Sequence, residues 1–360
     1  MFGKLRLNLD FILLGSAALL VFFGISVLFD LRGASDFAFR QAIWFGLGVA
    51  VYLIAANVDF SFLKNGRFLL VLFALTVVSL LAVLFLSHAV KGAQSRFYIF
   101  GFAIQPADPA QIVLIAILAK YFSRRHIQIA HIKHILISGT YAIILFLLIA
   151  AQPDLGSALM IASVWFFIVL LSGISKKHLL ALFTIGALLA FSAWNFALQD
   201  YQKKRVLVFL DPLKDLQGSG YNAYQSIVAV GSGGLFGKGI GFGTQSKLHF
   251  LPEYQTDFIF AAFAEEWGFF GSILLLSIFA VLILRIVQLG AGSQDNFVRL
   301  FAIGLAALFI THFTINVGMN IGLLPITGIT LPFVSYGGSH LISEFLALGI
   351  LTSLLRRRKA

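Results

Sequence analysis

Between residues 199 and 257 the chain gathers side chains able to do chemistry. Asp200, Asp211, Asp215, Glu253 and Asp257 supply carboxylates, and Glu265 and Glu266 follow about two turns further on. Asp257 stands where the polar stretch gives way to Phe258-Ile-Phe260, a place where a helix begins. An aspartate there has two readings. It can cap the helix by accepting from its free N–H groups. It can also be a carboxylate held ionised by the helix N-terminus and turned to water as a general base. The surrounding cations suit an anionic ligand: Lys203, Lys204, Arg205, Lys238, Lys247 and His249, with Lys91 and Arg96 from an earlier loop. Lys203 and Lys204 read as an ordinary solvated face. Lys238 differs because it is embedded in Gly231-Ser-Gly-Gly-Leu-Phe-Gly-Lys-Gly-Ile-Gly241. Glycines let backbone N–H groups approach a ligand closely, and a lysine among them suits phosphate. This is no nucleotide loop, since Gly239 follows Lys238 where Ser or Thr is required.

Elsewhere the candidates are sparser. Asp154, in Gln152-Pro-Asp-Leu-Gly-Ser157, is expected to cap the helix that follows it. Glu344 lies well inside the last apolar run, where an acid is expensive and is either paired or functional. His312 and His340 have no metal-ligand companions at useful spacing and read as structural histidines. The chain has no cysteine, which excludes disulfides and thiol chemistry. No acid cluster makes an all-protein metal cage, although a divalent cation (Mg or Mn) could supplement the lysines.

The elements that must position these residues are membrane helices. The chain is 59% hydrophobic and 11% charged, against about 25% charged in soluble domains. Ten apolar segments can be counted, at 10–29, 39–56, 68–87, 110–122, 135–151, 155–173, 178–198, 258–284, 297–320 and 336–355. The first reads as a retained signal anchor and the fourth is short for a span. Together they describe an all-α integral membrane protein, one polytopic domain over 1–360, with a long extracytoplasmic loop at about 199–257 between the seventh and eighth spans. The net charge of +11 is no nucleic-acid signal. Sixteen of the 26 basic residues fall in short loops on one side, which places both termini inside and residues 199–257 outside. All seven prolines are assigned to loops of that outer face.

The strings Lys91-Gly-Ala-Gln94, Gln152-Pro-Asp-Leu-Gly-Ser-Ala-Leu159, Gly220-Tyr221, Gln225-Ser226 and Gly237-Lys-Gly239 lie in this order along the chain. Phe250-Leu-Pro-Glu253, Thr256-Asp-Phe-Ile-Phe260, Ala264-Glu-Glu266, Gly322-Leu-Leu-Pro-Ile-Thr-Gly328 and Leu331-Pro-Phe-Val-Ser-Tyr-Gly-Gly338 continue it. With them the chain resembles the RodA/FtsW proteins of the SEDS family (shape, elongation, division, sporulation), and fits the rod-elongation branch better than division. The resemblance implies a peptidoglycan glycosyltransferase of the bacterial cytoplasmic membrane that polymerises lipid II. Its implied partners are a class B penicillin-binding protein and other membrane proteins of the elongation complex. Asp257 occupies the position of the family's essential acid. Candidate substrate contacts are Lys238, Arg205, Arg96, Lys91, Lys247, Gln225, Ser226 and Asp154, with Asp108 and Glu344 as further functional candidates.

Two departures stand out. Where the family has a paired Glu and Lys at the start of the fourth span, this chain has Asp108 and Gln111, so that salt bridge is not expected. The usual Gly-Gly-Ser-Ser is Gly337-Gly-Ser-His340.

The implied chemistry needs one base and cations for a diphosphate leaving group, without a general acid. A lipid II flippase and a non-catalytic scaffold are the competing classes. Glu344 and the Pro-interrupted starts of spans four and ten favour a transporter. The one-sided placement of polar features and the lack of a repeat argue against it.

Overall fold

The computed structural model describes residues 10–29, 36–87, 95–99, 102–123, 132–196, 198–211, 218–248 and 250–356. The expected apolar segments form α1 (Phe11–Leu28), α2 (Phe37–Asn57), α3 (Gly66–Leu86), α4 (Ala107–Ser123), α5 (Ile132–Ala150), α6 (Leu155–Leu171) and α7 (Lys176–Phe196). Three shorter helices follow: α8 (Asp200–Leu210), α9 (Ser219–Ser232) and α10 (Thr244–Lys247). The long helices resume with α11 (Ile259–Ala291), α12 (Asn296–Asn320) and α13 (Gly338–Arg356). Eight of the ten long helices have the length and hydropathy to cross a membrane. The other two, α4 and α6, have 17 residues each. A small antiparallel pair, Phe97–Ile99 with Phe102–Ile104, precedes α4.

One expectation is refined and one corrected. The long loop 199–257 between α7 and α11 contains three helices, α8, α9 and α10, and α9 packs on α11 and α12. Its glycine and polar content hides the helix from a hydropathy reading, because the partner that buries it is remote in sequence. Pro109 also lies in the first turn of α4 rather than in a loop, and α4 begins at Ala107 instead of residue 110. Proline is tolerated in a first turn because the N–H it lacks has no helical acceptor there.

The helices start where side chains meet their first N–H groups. Asp10 accepts from Leu13, Asn65 from Arg67, Asp154 from Ser157 and Asp295 from Phe297. In the bundle α13 packs on α2, α1 on α11, and α12 on α4, α6 and α11. α7 buries none of its residues, as suits a helix solvated by hydrocarbon. One end of the bundle is tied by Arg285 to Asp10 at 2.6 Å and Lys64 to Asp295 at 2.6 Å. At the opposite end the starts of α4, α6, α11 and α13 meet the end of α12. The candidate residues collect there.

Candidate active site

Asp257 belongs to the turn that leads into α11, and the backbone of that turn is held from outside. Three consecutive carbonyls accept hydrogen bonds. The Tyr336 N–H donates to Gln255 at 2.8 Å and the Ser335 hydroxyl to Thr256 at 2.7 Å. Asn316 and Asn320 each donate an amide N–H to the Asp257 carbonyl at 3.0 Å. Both asparagines are fully buried near the end of α12, where every donor and acceptor of an amide must find a partner. Asn316 also donates to Ile329, and Asn320 Oδ1 accepts from the Ala261 N–H at 3.0 Å. So Asn320, reaching across from α12, meets the first-turn N–H that an N-cap would meet. The N-cap position of α11 is Phe258, without a side-chain cap, so the capping reading of Asp257 is set aside. The Asp257 side chain is partly exposed and lies against Gly328, where an added Cβ would stand 3.5 Å from its Oδ2.

The glycine-rich segment has a different task. α11 is broken at Gly268, whose φ of 70° and ψ of −166° are not helical. A broken helix in a membrane must satisfy its freed backbone groups inside the protein. Residues 234–239 do this: Phe269 N–H donates to Gly234 at 2.9 Å and Phe270 N–H to Leu235 at 3.2 Å. In the other direction Lys238 N–H donates to Glu265 and Gly239 N–H to Glu266, both at 3.0 Å. A Cβ at Gly233 would strike the carbonyl of Ala264, and one at Gly237 that of Glu266. Close approach to α11 explains these two glycines, and the amides of Lys238 and Gly239 face α11 rather than a ligand.

The lysines follow the same pattern. Lys238 Nζ lies 2.8 Å from Glu265 Oε1 and 2.8 Å from Thr244 Oγ1. Lys247 Nζ donates to the carbonyls of Val27 and Phe29 at 2.7 Å and stands 3.6 Å from Glu266. Thus Glu265 and Glu266, left in the background of the sequence reading, anchor the segment.

The remaining candidates fall into three groups. Ser226 on α9 is buried and donates to the Asn320 carbonyl at 2.9 Å, joining α9 to the Asp257 turn, and Gln225 beside it is half-buried. Arg205 lines a cavity of about 30 Å³ with Phe209, Ile227, Met319 and Pro325. Arg96 donates to Gln105 at 3.1 Å, and Gln105 donates to Asp154 at 3.0 Å, while Asp154 caps α6 as expected. Lys91 and His249 lie outside the described residues.

Asp108 and Glu344 share a third neighbour. His340 Nδ1 is 3.3 Å from Asp108 Oδ1, and its Nε2 is 2.9 Å from Glu344 Oε1. Of the two departures from the family pattern, His340 on α13 lies against Asp108, while Gln111, one turn along α4, lines the same cavity and meets His312 at 3.4 Å. Glu344 Oε2 also accepts from the Phe333 N–H at 2.9 Å. The asparagines were missed in the sequence. Two of them four residues apart in an apolar helix, at 316 and 320, were the available signal. Among the described residues no group of three or more His, Asp or Glu is arranged to hold a metal ion.

The FtsW/RodA/SpoVE family model, described as cell cycle protein, matches residues 6–360. The chain belongs to this family. It is 38% identical over 291 residues to the peptidoglycan glycosyltransferase MrdB of Escherichia coli K12, covering 80% of this chain and 78% of MrdB. Stage V sporulation protein E of Bacillus subtilis is 35% identical over 321 residues, covering 89% and 87%. A chain solved in work on the coordination of polymerization and crosslinking by a peptidoglycan synthase complex superposes with a TM-score of 0.83 at 29% identity, covering 98% and 99%. The rod shape determining protein RodA of Thermus thermophilus gives 0.73 at 26% identity, covering 99% of both chains. The all-helical, multi-pass membrane architecture read from the sequence is the architecture of this family.

Proposed function

We propose that this chain polymerises lipid II into glycan strands for cell-wall elongation, with Asp257 as general base. As a member of the FtsW/RodA/SpoVE family it is a peptidoglycan glycosyltransferase. What supports Asp257 is its setting: three consecutive backbone carbonyls are held from outside while its carboxylate stays partly exposed. A base must be fixed in place and still reach its substrate.

In the proposed step the carboxylate takes the proton of the acceptor sugar's 4-hydroxyl as that oxygen attacks the donor's anomeric carbon. The bond from that carbon to the diphosphate breaks, and the diphosphate leaves with the electron pair. It departs as an anion and needs no proton, so one carboxylate suffices, unlike the pair in a glycosidase. An α-linked donor and a β-1,4 product make a single inverting displacement the simplest route. Arg205 and Arg96 are the favoured cations for the diphosphate, with Lys91. Lys238 and Lys247, already paired with Glu265 and Glu266, are weaker candidates. The described acids do not fit a divalent cation cage for Mg or Mn.

The site would face the outside of the bacterial cytoplasmic membrane, with both termini within the cell. A class B penicillin-binding protein is the proposed partner, since a solved relative belongs to a complex that polymerises and crosslinks. The test is polymerisation of labelled lipid II by the purified protein with such a partner, transpeptidation blocked, for wild type and Asp257→Ala. A glycan ladder from wild type and none from the folded variant is expected. A ladder from both would remove Asp257 from the mechanism. Transfer of lipid II between leaflets without a ladder would make the protein a flippase.

A further inference from the structure

Asp108 and Glu344 are buried at 7% and 5% exposure and meet across His340. His340 Nδ1 is hydrogen-bonded to Asp108, whereas Nε2 meets Glu344 Oε1 at ion-pair distance only, and a ring that serves both carboxylates must be imidazolium, since neutral imidazole has one N–H. Among the described residues no lysine or arginine lines the small cavity they share. Its other polar residues are Gln111, Ser343 and His312, whose ring centre is 5.2 Å from that of His340. His312 is directed elsewhere, to the Thr330 carbonyl at 3.3 Å and Gln111 at 3.4 Å. Ser339 also donates to Asp108 at 3.3 Å. His340 thus stands between two buried carboxyl groups from α4 and α13, the place for an imidazolium.

The junction continues to the Asp257 turn. Glu344 accepts from the Phe333 N–H, and Phe333 has a φ of 63°, costly for a residue with a Cβ. Two residues on, Ser335 holds the Thr256 carbonyl, and Tyr336 holds that of Gln255.

We propose that His340 is a positioning residue: by holding Asp108 and Glu344 together it fixes the Phe333 backbone, and through Ser335 and Tyr336 the turn that presents Asp257. Without the imidazolium the two carboxylates are unpaired charges in the interior, and one must turn away or take a proton. Glu344 then loosens its hold on Phe333. The cation's place matters less than its presence. Position 111 lines the same cavity one turn from Asp108, so a lysine there can serve both acids.

The inference rests on the glycosyltransferase reading for its kinetic arm only. The variants are His340→Ser and His340→Ser with Gln111→Lys, purified with the penicillin-binding partner. Amide exchange over residues 329–337 should quicken by about tenfold or more in the single variant and return towards wild type in the double. The lipid II polymerisation kcat should fall by about tenfold or more while KM changes less, and the double should recover most of it. Should His340→Ser not fold, His340→Gln takes its place. Unchanged exchange and kcat in a folded single variant would overturn the proposal. So would a folded double variant that recovers neither. If wild type makes no glycan at all, the functional reading falls, and exchange alone decides the role of His340.

Discussion

The glycine-rich segment 231–243 and the turn 250–258 both look, in sequence, like places built for a ligand. The structure separates them. The glycine segment uses the amides of Lys238 and Gly239 on the break in α11 and its lysine on Glu265, whereas the turn is held by other elements and keeps its carboxylate partly exposed. In a membrane protein, polar density first answers an internal debt of unpaired backbone groups. A residue becomes a strong catalytic candidate when neighbours meet that demand for it.

The sharpest way to break this contrast is Asp257→Asn, nearly isosteric and unable to act as the base. Polymerisation should fall by about a thousandfold or more with the melting temperature kept, read from glycan ladders and thermal unfolding. Lys238→Met addresses the other region. It strands the fully buried Glu265 and should cost about 3 kcal/mol of stability, much of it regained by adding Glu265→Gln. A raised KM for lipid II at unchanged stability would instead make Lys238 a substrate contact. Asn320→Ala leaves the Ala261 N–H and part of the bonding at Asp257 unmet, for about 2 kcal/mol, and a loss of kcat beyond the loss of folded protein. Gly237→Ala combines a φ of 80° with a clash against the Glu266 carbonyl. It should destabilise by about 1–3 kcal/mol without altering KM. Lys203→Gln, on the face read as solvated, should change either quantity by less than about twofold.

The spans were legible because burial in lipid is a property of each segment alone, and all ten apolar runs are helices. The Asp154 cap was legible through a local motif. What the sequence concealed depends on contacts between remote segments. α9 needs α11 and α12 to cover it, and the cap of α11 arrives from Asn320, 59 residues beyond the Ala261 it serves. Gln111 and His340 looked like two separate departures from the family pattern. Only the packing of α4 against α13 makes them parts of one arrangement.

The break at Gly268 has a consequence of length. Unbroken, the 33 residues of α11 would reach roughly 50 Å, well beyond the ~30 Å of hydrocarbon in a bilayer. The piece from Phe269 to Ala291 is long enough to cross by itself. The nine residues from Ile259 to Trp267 are therefore released from spanning and act as a plinth for the Asp257 turn, with Glu265 and Glu266 as its buried footing.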